Sequence, residues 1–175
     1  VYRHFMEQTP ERDNIKYSIL TNALMFKEFH NRVPNVINNL QELGVSIDGA
    51  SQKTYEKLRL GGKWDKINEN LECISKLKGK HDFRLILHFV VQKDNFHEMQ
   101  NIIDLGEQYG ADRVWLNKIQ DWGTSDDFKS QDIWHTPEYQ QQIDQVIDRI
   151  QSRGNDRFIE CPTLVTEEAR CRSRN

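Results

Sequence analysis

Phe83 to Val91 reads FRLILHFVV. A run this continuous in apolar residues fits a strand buried on both faces, and such strands belong to parallel sheets joined by crossover helices. The flanking chain fits the same scheme. KYSIL (Lys16–Leu20), Leu43–Ile47 and Arg113–Leu116 are shorter apolar runs, each stopped by polar turn residues. Helical spacings lie between them. Leu24–Arg32 ends near Pro34, with a further helical turn expected at Val36, Ile37 and Leu40. Ser51 is placed to cap Thr54–Leu60, and Trp64, Ile67, Leu71, Ile74 and Leu77 repeat at three- and four-residue intervals. Phe96–Tyr109 closes at Gly110. Gln120–Thr136 reads as a long polar loop, Pro137 opens a last helix, and Phe158-Ile159 is a short final strand.

The order is β-α-β-α-β-α-β-loop-α, with about thirty residues per unit, as a βαβ series requires. Four strands are too few to close a barrel. The pattern alone leaves a doubly wound sheet and a partial barrel both open.

The 175 residues suffice for one core, and the balance of 37% hydrophobic to 29% charged residues is that of a globular chain. The net charge of −3, with both signs interspersed, lacks the basic clustering of a nucleic-acid binder. No apolar run approaches a membrane span, and VYRHFMEQ has no signal-peptide core. Three widely spaced cysteines, Cys73, Cys161 and Cys171, make a poor disulfide framework and point to a reducing, cytoplasmic setting. The chain opens without Met, in what reads as mid-helix, and is expected to be a piece of a longer protein.

In either parallel architecture, ligands gather at the carboxyl ends of the strands. Those positions are Thr21-Asn22, Ser46, Asp48-Gly49, Gln92 and Asn95, and Asn117 with Lys118. Each has an ordinary structural reading, since Asn, Asp and Gly are good turn residues. Together they direct hydrogen-bonding side chains to one rim, where a ribose, an amino-acid head group or an adenine edge could be held. Arg59, just before Gly61-Gly62, is either a solvated helix cation or a planar grip for a carboxylate. No phosphate-binding glycine loop and no nucleophile triad can be assembled. His88, inside the apolar strand, reads as a core or barrel-lining residue.

VSIDGASQKTYEKLRLGGKWDKINENLECI resembles the fourth strand and following helix of radical S-adenosylmethionine (SAM) enzymes. YSILTNALMF is similar to their third strand, FVVQKDNFHEM to the fifth with its N-x-x-E turn, and YGADRVWLNKI to the sixth. The resemblance runs from Lys16 to Ile119. It implies an incomplete (β/α)6 partial TIM barrel, with about four parallel strands and crossover helices. By position, it implies that Ser46 and Asp48 lie near the methionine or ribose of SAM and that Arg59 pairs with the methionine carboxylate. Thr21 and Asn22 would line the same cavity, Gln92 and Asn95 would sit at the fifth strand end, and Leu116 and Asn117 would meet the adenine.

The activity implied is reductive cleavage of SAM by a [4Fe–4S] cluster to a 5′-deoxyadenosyl radical, with a peptide or protein as the expected substrate. The family's CxxxCxxC loop is absent from this sequence. The expectation is therefore an active parent enzyme and an inactive chain, with a cluster-free, non-catalytic α/β binding module as the alternative. A different α/β enzyme acting on a sugar phosphate would need a phosphate nest that the sequence lacks.

By the same resemblance, residues 1–157 would be barrel and 158–175 the start of a cysteine-containing extension of the twitch or SPASM type. There Cys161 and Cys171 would ligate an auxiliary Fe–S cluster. The missing strands leave the first strand's edge open, so self-association through that edge, or cover from residues 1–14, is expected.

Overall fold

Every strand pairing is parallel, and the spatial order follows the chain order, β1-β2-β3-β4-β5. The computed structural model describes residues 15–119, 126–133, 136–152 and 159–160. The strands are β1 (Tyr17–Thr21), β2 (Leu40–Ser46), β3 (Arg84–Val91), β4 (Arg113–Lys118) and β5 (Ile159–Glu160). The helices are α1 (Phe26–Arg32), α2 (Gln52–Leu58), α3 (Trp64–Lys78), α4 (Met99–Gln108), α5 (Asp126–Gln131) and α6 (Pro137–Ser152).

This order decides between the two architectures. Right-handed crossovers that always step to the next strand in one direction put every helix on the same face. A doubly wound sheet reverses direction and covers both. Here the sheet is an unclosed, singly wound partial barrel with one helix-covered face and one concave face.

The side chains follow the same division. Leu43, Val45 and Ile47, then Leu85, Leu87, Phe89 and Val91, then Val114 and Leu116, alternate toward the helices. They meet Ile67, Leu71 and Ile74 of α3 and Met99, Ile102 and Ile103 of α4 in one core. The opposite face carries Glu42, Gly44, Ser46 and Asp48 from β2 and its extension. From β3 it carries Arg84, Ile86, His88 and Val90, and from β4 Arg113, Trp115 and Asn117. Glu42 and Arg84 are register partners there and form an ion pair at 2.8 Å.

Several boundaries differ from the sequence reading. Leu40 begins β2, and the expected helical turn before it is a 3-10 turn, Pro34–Asn39. Phe96–Glu98 is also 3-10, and α4 starts at Met99. The polar loop contains α5, which periodicity could not find because six residues with one apolar side chain carry no helical stripe. Tertiary contacts hold it instead. Gln131 Oε1 accepts from Asp94 N–H at 3.2 Å, Gln131 Nε2 donates to Asp94 Oδ2 at 3.0 Å, and Lys93 N–H donates to the Gln131 carbonyl. The short final strand read at Phe158-Ile159 is β5, Ile159–Glu160, which registers with Val114 and Trp115. Phe158, Cys161 and Cys171 lie outside the described residues. Among the described residues, no helix is long and apolar enough to cross a membrane.

Candidate functional site

The Ser46–Gly62 segment forms the centre of the C-terminal rim. The β2 ladder runs one residue past the strand, where Ile47 N–H donates to the His88 carbonyl at 2.9 Å. Asp48 then replaces the backbone: its Oδ1 accepts from Val90 N–H at 3.2 Å, and its Oδ2 pairs with Arg59 Nη2 at 2.8 Å. Arg59 reaches it from the C-cap of α2. Burial pushes the Asp48 carboxyl above its ordinary range, against the pull of Arg59 and the Val90 N–H. Arg59 Nε is buried and has no hydrogen-bond partner among the described residues. A half-used guanidinium beside a reluctantly charged carboxylate is the kind of perturbation that marks binding sites.

Gly49 sets the tightness of this turn. A Cβ there would stand 2.6 Å from Tyr55 Cα and press on Tyr55 N as well. Both are backbone atoms of α2, which cannot turn aside. Gly49→Ala is therefore expected to displace the α2 start, lowering stability by about 3 kcal/mol. Urea unfolding monitored by circular dichroism reads this directly.

Two side chains fasten the rim from behind. Asn95 is fully buried, and its amide is used up. Its Oδ1 accepts from Gln92 N–H at 2.8 Å, while Nδ2 donates to the Val90 and Asp48 carbonyls at 2.8 and 3.0 Å. Its place is structural, as a buckle between the exits of β2 and β3. Glu98, 5% exposed, accepts from Ala50 N–H at 2.6 Å, from Thr54 Oγ1 at 2.7 Å and from Ser51 Oγ. Ser51 is the expected cap of α2, accepting from Thr54 N–H at 3.3 Å.

Thr21 and Asn22 close the β1 turn on themselves, with Thr21 Oγ1 accepting from Ala23 N–H and Asn22 Oδ1 from Leu24 N–H. Ala23 takes φ +55°, a conformation that costs a non-glycine residue about 1 kcal/mol or more. Asn70 of α3 holds this turn in place. Fully buried, it accepts from Lys27 N–H at 2.9 Å and donates to the Leu24 carbonyl at 3.1 Å.

The structure thus brings Asp48 and Arg59 together at the rim, with Ser46 one layer below on the same strand, Gln92 at the exit of β3 and Asn95 behind. Asn117 stands in register with Val90, two strands from Asp48. Leu116 does not face this site. Its side chain is fully buried in the helix-facing core, leaving only its backbone on the β4 strand. Glu98 and Asn70 are the residues that the sequence reading missed. The N-x-x-E turn and the NEN segment of α3 are visible in the sequence, but their hydrogen bonds span more than forty residues.

His88 lines the concave face, edge-on to Trp115 with ring centroids 4.8 Å apart. Burial holds its pKa below the ordinary value, against a weaker pull from Glu42. A lowered folded-state pKa means that the unfolded chain binds the proton first. His88 thus contributes stability that is present above about pH 6.5 and lost as pH falls toward its folded value. His30, also lowered by burial, acts in the same direction. On acidification through this window the urea midpoint of His88→Gln is expected to gain relative to that of the parent.

The fold is similar to part of SuiB from Streptococcus suis. The crystal structure of SuiB bound to S-adenosylmethionine superposes with a TM-score of 0.58 at 16% identity, over 86% of this chain and 32% of SuiB. SuiB bound to its precursor peptide SuiA gives 0.62 at 16% identity, over 91% of this chain and 34% of SuiB. A third SuiB structure gives 0.61 at 15% identity, over 87% and 33%. The fold they share is an unclosed parallel α/β partial barrel. The chain spans about a third of the length of the SuiB chains it matches, and at this identity the likeness establishes fold alone. No family model matches the sequence, and no curated protein does.

The donor set of the partial barrel does not fit a [4Fe–4S] cluster, which needs three thiolates held close together. Cys73, on α3, is the one cysteine among the described residues. No group of three His, Cys, Asp or Glu there is placed to hold a metal ion.

Proposed function

We propose that the rim around Asp48 and Arg59 binds SAM, and that this chain is the SAM-binding portion of a radical SAM enzyme acting on a peptide or protein. The observation that carries this reading is Arg59. One nitrogen holds Asp48, and the buried Nε keeps a hydrogen-bond donor for an incoming acceptor. A carboxylate is the acceptor that a guanidinium fork matches best. In this reading Arg59 receives the methionine carboxylate, Asp48 faces the methionine or ribose, and Ser46 stands on the same strand face one layer below them. Thr21, Asn22 and Gln92 line the cavity, and Asn117 and the Leu116 backbone approach the adenine. Asn95 and Glu98 keep the rim in shape. SuiB, bound in one crystal to SAM and in another to a precursor peptide, supports both ligand classes by its fold.

Bound SAM would supply the adenosyl group that the resemblance assigns to radical formation. The [4Fe–4S] cluster that cleaves it does not fit the residues present, so no cleavage step is assigned to them. An auxiliary cluster at Cys161 and Cys171 rests on their sequence positions alone. The second reading is a cluster-free SAM-binding module. The test is anaerobic reconstitution of the whole gene product with iron and sulfide, followed by SAM and a reductant. Release of 5′-deoxyadenosine that Arg59→Ala suppresses supports the enzyme. No 5′-deoxyadenosine from a protein that still binds SAM supports the module.

Self-association belongs to the same proposal. Among the described residues, β1 has no strand on its outer side. Sedimentation velocity over a concentration series is expected to reveal a dimer, and a monomer with that edge uncovered would count against it.

A further inference from the structure

One layer beneath the Asp48–Arg59 pair, Ser46, His88 and Trp115 stand side by side across three strands. None of the three side chains makes a hydrogen bond among the described residues. Trp115 Nε1 is closed off from solvent and has no acceptor among the described residues. A buried donor left unpaired is costly, and in a native site it calls for an explanation such as an acceptor that arrives with a ligand.

The sheet makes room for this group. A Cβ on Gly44 would stand 2.8 Å from His88 Nε2 and 2.9 Å from Leu20 Cδ1, so the missing side chain is the space that the imidazole occupies. The charges around it are already committed. Arg84 pairs with Glu42 in the layer below, Arg59 pairs with Asp48 above, and Arg113 has a partner of its own. Burial keeps His88 toward its neutral form. What remains unpaired at this layer is an uncharged set: an indole N–H, a hydroxyl, and an imidazole that both donates and accepts. The Trp115 ring on one side and the exposed Leu20 on the other complete it.

We propose that Ser46, His88 and Trp115 form a second subsite that receives a peptide amide of the substrate. The Trp115 N–H donates to the amide carbonyl, and the His88 imidazole or Ser46 hydroxyl meets its N–H. Among the described residues, a carboxylate, phosphate or ammonium group would find no counter-charge free at this layer. The substrate class rests on the peptide reading above, while the subsite itself rests on its own unpaired groups. Adenine is also a planar, neutral hydrogen-bonding group, so the test must separate SAM from an amide.

The experiment is ¹H–¹⁵N NMR of the 175-residue chain, whose four tryptophans give four indole N–H signals, with Trp115 assigned by Trp115→Phe. The probes are N-methylacetamide, acetate, methylammonium and SAM. N-Methylacetamide is expected to shift the Trp115 indole signal saturably, with or without SAM, while acetate and methylammonium leave it in place. Ser46→Ala keeps both rings and is expected to weaken this response about threefold. An indole signal that N-methylacetamide does not move, or that acetate moves equally, overturns the proposal. So does SAM alone moving the indole and blocking the amide, since the subsite would then belong to adenine. If SAM fails to perturb Gly49 and Ala50 while N-methylacetamide still shifts Trp115, the subsite stands and the SAM reading falls.

Discussion

Glu98→Leu lowers the unfolding free energy by about 3 kcal/mol and detaches the start of α2 from the β3 exit, because three donors lose one acceptor together. Ala50 N–H, Ser51 Oγ and Thr54 Oγ1 all converge on this carboxyl group, and Thr54 and Glu98 are both buried. Leucine fills the volume and accepts nothing. Glu98→Gln offers one oxygen in place of two and turns an NH2 toward a donor, so its stability is expected to fall between those of the parent and Glu98→Leu. Chemical denaturation of the three proteins gives the ranking, and hydrogen exchange at Ala50 and Thr54 localises the loss. Equal stabilities for the parent and Glu98→Leu would mean that water replaces the carboxyl group and that the rim does not depend on it.

Arg59→Ala is expected to weaken SAM binding about 30-fold, the loss of one charge-assisted contact worth about 2 kcal/mol. It also changes how stability depends on pH. The Asp48 carboxyl already titrates above its ordinary range because burial outweighs Arg59. A raised carboxyl pKa gives stability that is complete below the unfolded value, near pH 4, and lost as pH rises through the folded value. Removing Arg59 raises that folded value further, so the loss on going to neutral pH is larger in Arg59→Ala than in the parent. Asp48→Asn added to Arg59→Ala removes the titrating group and is expected to recover most of that difference. Denaturation midpoints at pH 4 and pH 7 for the two variants check the sign. A pH dependence unchanged by Arg59→Ala would show that the ion pair is too solvated to matter.

The path from sequence to fold is direct where hydrophobic patterning carries the information. FRLILHFVV, the α3 stripe and the turn residues between strands are legible because each is a local signal read at its own period. The choice between a doubly wound sheet and a partial barrel is not legible, since strand order depends on crossovers and not on composition. It is settled by Tyr17–Thr21, Leu40–Ser46, Arg84–Val91 and Arg113–Lys118 lying side by side in chain order.

At the site, chemistry is easier to read than partnership. Asp48 and Arg59 stand out by residue type, but nothing local in the sequence announces the 2.8 Å pair between them. Asn95 reads as a binding residue because an amide at a strand end can bind, and the fold instead consumes the whole amide on backbone groups. Leu116 enters the resemblance by position, and the two-residue period of β4 sends its side chain to the core. Glu98 looks like an ordinary helix-start acid, because its three partners lie 44 to 48 residues earlier.

The measurement that bears most directly on the central claim is isothermal titration of SAM into this chain and into its Arg59→Ala variant. The account predicts saturable, one-site binding to the parent chain and binding about 30-fold weaker in the variant. Absence of binding to the parent, or equal affinity in both proteins, would contradict the assignment of the Asp48–Arg59 rim as a SAM site.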